Sequence, residues 1–183
     1  VTVTGEGTYN IGRAFGLPAA PVLSIVPTGG AALTACLLEI PAPGPQGRPV
    51  VLPPADAHFL MLYLDAAEHA EIDADGVQGA LRHVPARAIC LIDLEEGASI
   101  LLGHPLRAVA FVCPRPVLRD VARLAGTGEG TLRCLHGTSD PVVADLATAL
   151  VPLFGAPAAS RALLRHVAMA LCAHLVHSHG AWP

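Results

Sequence analysis

The sequence predicts an α+β fold: an antiparallel β-barrel or sandwich comes first, and a block of helices follows it. Three observations carry this expectation. Apolar runs of strand length recur at turn spacing from Ala31 to Cys113, without helical stretches between them. Helical spacing then takes over at Pro114-Arg115-Pro116, where proline suits a helix start but not a helix interior. The last stretch, ending at His179, is apolar over much of a helical circumference.

Residues 1–30 are punctuated by Gly and Pro and read as an arm, with Val22–Val26 the best candidate for pairing. Ala31–Ile40 is a buried strand, and the Pro-rich stretch from Pro41 to Pro49 is a stiff exposed loop. His58–Leu64 is apolar on both faces, as expected of a strand lying between a barrel interior and packed helices. Glu68–Asp75 follows, with Glu71, Asp73 and Asp75 on one face. Asp75-Gly76 makes a hairpin turn, and Val77–Val84 returns.

The organising stretch runs from His83 to Gly126. Ala88–Leu94 and Leu106–Cys113 are strands with a short one between them, and Glu95-Glu96-Gly97 is a solvated turn. Val117, Leu118, Val121 and Leu124 then recur at helical spacing, and Gly126 sits at the C′ position. Gly126–Gly130 imitates a phosphate loop but has no following Lys-Ser/Thr, and Glu129 would repel phosphate, so it is a linker. Arg133–Leu135 forms at most a short extension. Asp140 is a good N-cap, with Pro141 at N1 of a helix that Pro152 limits. The last helix runs from about Pro157 to His179, with Leu164, Val167, Leu171 and Leu175 as one stripe. Leu163, Met169, Cys172 and Val176 add apolar surface on other faces, so this helix is expected to need two partners, its own domain and its twin in a second subunit.

The run Ile89…Asp93-Leu94, then Gly103-His104-Pro105-Leu106-Arg107-Ala108-Val109-Ala110-Phe111, then Pro114-Arg115…Leu118 resembles the sensor half of AraC/XylS-type transcription regulators. In that family a small cupin-like barrel hands over to helices at a similar Phe-x-x-Pro-Arg-x-x-Leu junction. The resemblance continues through Asp140-Pro141-Val142 and the last helix, and it covers roughly residues 30–180. It implies a cupin-like barrel of the double-stranded β-helix (jelly-roll) type with an N-terminal arm over residues 1–113, and a helical dimerisation segment over 114–183. The two parts form one structural unit. It also implies a homodimer that senses a small-molecule effector, and DNA binding only through a helix-turn-helix domain absent from this chain. Starting at Val1 and stopping at Trp182-Pro183 is what a fragment of a longer parent would show.

Composition agrees. The chain has 183 residues, enough for one domain with a real core at 52% hydrophobic content. Only 14% of residues are charged, against about 25% on average, so some surface is expected to be covered by a second subunit. A net charge of −4, with eleven Arg and no Lys, excludes a nucleic-acid-binding stripe in this segment. Five Cys without a CxxC read as small buried hydrophobes in a reducing cytoplasm, and no signal peptide or membrane-length apolar run is present.

Strand parity points Phe59, Met61, Tyr63, Arg82 and Cys90 into an effector pocket, while Leu164, Val167, Leu171 and Leu175 mark the dimer helix. Arg82 and His83 are adjacent on a strand, so one of them is expected inside. An ion pair of that residue to Glu68, Glu71 or Asp73 competes with effector recognition. No nucleophile motif is present, and neither a catalytic role, a cofactor nor a metal is expected. The alternative is a cupin-type metalloenzyme, for which His58, His69, His83 and His104 are the candidate ligands and Glu68-His69…Glu71 the nearest imitation of a metal strand. A third possibility is a dimerisation module whose barrel is filled by its own side chains. His174-x-x-His177-x-His179 reads as a solvated helix end that suits the negative dipole, or as an adventitious Zn²⁺ or Ni²⁺ binder.

Overall fold

A computed structural model describes residues 9–73, 75–127, 130–155 and 160–181. The first eight residues of the arm, Ala74, Glu129 of the linker and the expected helix start at Pro157 lie outside the described residues. The elements run α1 (Ile11–Ala14), β1 (Val22–Ile25), β2 (Leu33–Ile40), β3 (Arg48–Leu52), β4 (Ala57–Tyr63), β5 (Ala67–Ile72), β6 (Arg82–Val84), β7 (Ala88–Asp93), β8 (Ala98–Leu102) and β9 (Leu106–Pro114). Then come α2 (Arg115–Leu124), β10 (Thr131–Leu132), β11 (Leu135–Ser139), α3 (Pro141–Leu150), a 3₁₀ turn (Val151–Gly155), α4 (Arg161–His179) and β12 (Gly180–Ala181).

Ten strands build two antiparallel sheets, in the orders β1-β2-β9-β4-β7-β11 and β3-β8-β5-β6, while β10 and β12 form a separate pair. The chain thus has the expected α+β architecture, a cupin-like barrel of jelly-roll type followed by helices. Side-chain alternation makes the six-stranded sheet work on both faces. On β4, Phe59, Met61 and Tyr63 enter the barrel core, whereas Leu60 and Leu62 enter the core under the helices. On β9, Ala108, Ala110 and Val112 face the barrel, and Val109, Phe111 and Cys113 face the helices. Buried on both faces, β4 has to be the continuous apolar run that the sequence displays.

Several expectations are corrected. Pro49 belongs to β3 rather than to the loop. It is tolerated because β3 is the edge of the four-stranded sheet, where a missing N–H costs no ladder bond on the open side. The returning strand is only three residues long, and before it only Gln78 bridges back, to Ile72. Asp73 does not continue the strand: its Oδ1 accepts the N–H groups of Asp75 and Val77, which turns the chain. The half after Pro114 is not all helix, since β11 returns to pair with β7 as the sixth strand of the large sheet. Leu124 is solvent-facing at the helix end rather than part of the α2 stripe.

In the arm, Asn10 accepts the N–H of Arg13 and caps the short α1. Ile11 and Phe15 close one end of the barrel, with the Phe15 ring 6.2 Å from that of Phe59. The expected dimer stripe Leu164, Val167, Leu171 and Leu175 is corrected as well. All four residues are buried within the chain's own core, because α4 packs against α2, α3 and β1. Cys36, Cys90, Cys113 and Cys172 are free and buried, as expected, and Cys134 is free and exposed. Among the described residues, no helix is long and apolar enough to cross a membrane.

Candidate functional site

Between the two sheets lies a cavity of about 260 Å³. Its floor comes from the inward positions of β4 and β7: Phe59, Met61, Tyr63 and Cys90, four of the five residues expected there. The fifth, Arg82, is corrected. β6 is a short edge strand, and both Arg82 and His83 are exposed on it, so the adjacency of the two residues does not force one inside. His83 sits 3.6 Å from Glu68 on the outer side of the sheet.

Sequence reasoning left the polar side out of the effector pocket, naming His69 and Glu71 for the metalloenzyme alternative instead. His69 and Glu71 project from β5, and Cys134 and His136 come from the β11 segment, which was expected to contribute no more than an extension. The parity of β5 carries a usable signal, since Ala67, His69 and Glu71 alternate to one side of the strand. Nothing in the sequence says that residues 134–136 cross the sheet. Tyr63 and His69 form a buried pair with rings nearly parallel (5°) and centroids 5.9 Å apart, and the phenol oxygen lies 3.3 Å from His69 Nδ1. At the rim, His136 Nδ1 is 3.2 Å from Glu71.

Burial sets the protonation states. Desolvation pushes the Tyr63 phenol up, with Cys90 and Glu71 adding to it, so the hydroxyl stays protonated. Desolvation also raises the Cys90 thiol, partly opposed by the Gly137 N–H that it accepts at 3.3 Å and by Tyr63. A thiol held up in this way is not an activated nucleophile. His69 is lowered by desolvation first, with Arg82 and His136 acting in the same direction and Glu71 against it. The cavity therefore offers an apolar floor, an uncharged Tyr–His pair, and charge only at its rim. It suits a small neutral molecule carrying a hydroxyl or carbonyl, smaller than the ligands of the ~300–1,000 Å³ sites typical of drug-sized compounds.

The four candidate metal histidines do not converge, which removes the basis for that alternative ligand set. His69 alone faces the cavity. His83 and His104 both lie against Glu68 on the outside, at 3.6 and 3.0 Å. His58, one residue out of step with Phe59, lies on the helix side of β4, where its Nε2 accepts the Leu132 N–H at 3.1 Å. Its neighbour Arg115 is a hub at the start of α2, reaching Asp93 at 2.6 Å, Asp56 at 3.1 Å and Glu95 at 3.2 Å. Glu95 is thus paired rather than merely solvated. Asp93 also borders the cavity, and its carboxylate holds Arg115 at the start of α2.

His58 is likewise lowered by desolvation first, with Arg115 adding to the effect and Asp93 and Asp56 opposing it. Both His58 and His69 therefore bind a proton more readily in the unfolded chain than in the folded one. Their contribution to stability is complete above the ordinary value of 6.5 and is lost as pH falls below it toward the folded values. Urea midpoints are expected to drop between pH 7.5 and 5, each histidine steepening the dependence by at most about 1.4 kcal/mol per pH unit. His69→Gln should flatten that slope; a wild-type midpoint that is level across the window would refute the assignment of neutral buried histidines.

No protein-family model matches the chain, and no curated protein does. Among solved structures, it is similar to a cupin superfamily protein from Desulfitobacterium hafniense, at 13% identity and a TM-score of 0.35, over 51% of this chain and 77% of that one. It is also similar to the cupin domain of Schizosaccharomyces pombe Cnp3, at 13% identity and a TM-score of 0.37, over 59% of this chain and 72% of that one. A third likeness is to ectoine synthase from P. lautus, at 14% identity and a TM-score of 0.36, over 52% of this chain and 62% of that one. The fold assignment itself rests on the strand order and register given above.

Proposed function

We propose that the chain is a small-molecule-sensing domain, the effector-binding and dimerisation half of an AraC-type transcription regulator. The observation that carries this is the cavity: a shaped apolar pocket with one buried uncharged polar pair, in which burial keeps the Cys90 thiol protonated. Coupling has a physical route through Asp93, which borders the pocket and holds Arg115 at the first turn of α2. A second route is β11, which carries His136 at the rim and ends at the cap of α3. A ligand biases the helices only if it binds two arrangements of these contacts with different affinity. In a dimer joined to helix-turn-helix domains, that bias alters how the half-sites are met. With Leu164, Val167, Leu171 and Leu175 committed to the chain's own core, a dimer through α4 uses its opposite face, where Leu163, His166 and Ala170 are exposed.

The test is a thermal-shift and native mass-spectrometry screen of the purified protein against small neutral alcohols and ketones, aromatic ones included. A binder is expected, and Met61→Trp, which fills the floor, should weaken it by at least about tenfold, the worth of 1.4 kcal/mol. If nothing in the panel is held and Met61→Trp simply raises the melting temperature, the barrel is a filled structural module. A metal-dependent cupin keeps one observation in its favour: His69, Glu71 and His136 share the cavity wall. A stoichiometric transition metal that survives the double substitution His174→Ala/His179→Ala would move the assignment to that enzyme class.

A further inference from the structure

We propose that Asp140, His174 and His179 form a binding site for a divalent transition ion of the zinc class, clamping the end of α4 to the start of α3. The residues are 34 and 39 positions apart in sequence, yet their ligand atoms all lie within 4.8 Å of one another. His174 Nε2 sits 2.9 Å from Asp140 Oδ2, and His179 Nε2 sits 2.6 Å from the same oxygen. The rings meet edge-on, with centroids 5.8 Å apart, so both nitrogens aim at one point rather than stacking side by side. Two imidazoles and one carboxylate are the donor set of an open, three-ligand site for zinc, cobalt or nickel.

Three features separate this cluster from a routine helix end. The first is the division of labour on the carboxylate. Oδ1 accepts the Val143 N–H at 3.0 Å and caps α3, with His174 Nε2 also 3.1 Å from it, while both imidazoles converge on Oδ2, where an ion would replace their N–H protons. The second is charge. The Asp140 side chain is only 7% exposed, and among the described residues its side-chain partners are the two imidazoles, with no guanidinium paired to it. A buried carboxylate calls for a cation, and a divalent ion held by neutral imidazoles supplies one. The third is the outer contact: Ser178 Oγ lies 3.4 Å from His174 Nδ1, on the far side of the ring from the carboxylate. When Nε2 gives up its proton to ligate, Nδ1–H can donate to this hydroxyl and hold the ring in place. The histidine side chains are 21% and 13% exposed, enough for an ion to enter and for water to fill the remaining position.

The site is independent of the pocket proposal, since none of its three residues lines the cavity. The experiment is calorimetric titration of EDTA-treated, gel-filtered protein with ZnCl₂, supported by the visible spectrum with CoCl₂. One Zn²⁺ per chain is expected, together with a rise in melting temperature and intense cobalt bands of low-coordinate type. His174→Ala and His179→Ala should each lose at least about tenfold in affinity, a loss that even outer-contact changes produce. His177→Ala, at an exposed neighbour, should bind as the wild type does. Because Asp140 also caps α3, the metal-free melting temperature of each variant is measured alongside. A variant that melts with the wild type but no longer responds to zinc supports the clamp. Wild-type protein that takes up no zinc overturns it, as does uptake that the two substitutions leave intact and His177→Ala removes.

Discussion

Leu171→Arg should leave no folded protein to study. Leu171 is fully buried among α2, α3 and the six-stranded sheet, so the substitution removes an apolar side chain from a closed core and places a permanent cation there without a partner. Losing the leucine costs about 1.5–3 kcal/mol, and an uncompensated buried charge costs several kcal/mol more. Against a total stability of about 5–15 kcal/mol, the sum suffices to unfold the domain. The expected result is insoluble expression, or a far-ultraviolet spectrum without a cooperative melt. The neighbouring Ala170→Arg, on the exposed face, is the matched control and should fold normally. A Leu171→Arg protein that stays folded and changes only its mass in solution would show that this stripe is a subunit seam after all. Ala170→Arg reports on the dimer directly, since a fall to monomer mass would place the contact on the opposite face.

The same helix shows what was legible in the sequence. Periodicity identifies Leu164, Val167, Leu171 and Leu175 as buried, because burial of a stripe is a local property of spacing. It cannot say what buries them, and α2 and α3 do so here. The barrel floor was legible for the same reason: Phe59, Met61 and Tyr63 alternate on one long strand with both neighbours in place. Arg82 failed on exposure rather than on parity: it pairs with His69 and shares the face of buried Val84, but at the start of a three-residue edge strand it stays in solvent. β11, His136 and the Asp140 cluster were hidden for a different reason. Leu135-His136-Gly137-Thr138-Ser139 has little apolar patterning of its own, and it becomes a strand by pairing with β7 across a bulge. Asp140 was recognised as a cap, but its meeting with His174 and His179 depends on how α4 packs back on α3, which no local pattern records.

Gly97→Ala is expected to destabilise the protein by about 2–4 kcal/mol, although it adds a single carbon. Gly97 closes the turn between β7 and β8 with φ at +77°, a conformation that costs a residue with a side chain about 1–2 kcal/mol. Its Cβ would also stand 2.6 Å from the carbonyl oxygen of Leu52 and 3.1 Å from the Pro54 ring, and neither is the free end of a flexible side chain. The turn cannot simply open, because Gly97 N–H donates to Leu94 O at 3.0 Å and Ala55 N–H donates to the same oxygen at 2.8 Å. For a chain of this size the loss corresponds to a fall of roughly 5–15 °C in melting temperature. Gly44→Ala is the control: its Cβ would meet nothing within 4 Å, and it should melt close to wild type. The position also carries functional weight. The same turn begins at Asp93, which borders the cavity and whose carboxylate accepts the Glu95 N–H at 3.0 Å while holding Arg115. A Gly97→Ala protein that folds at low temperature should therefore bind a cavity ligand more weakly than its stability loss alone explains. If it binds with wild-type affinity, the Asp93–Arg115 contact does not carry the signal from the pocket to α2, and the route through β11 is the one that remains.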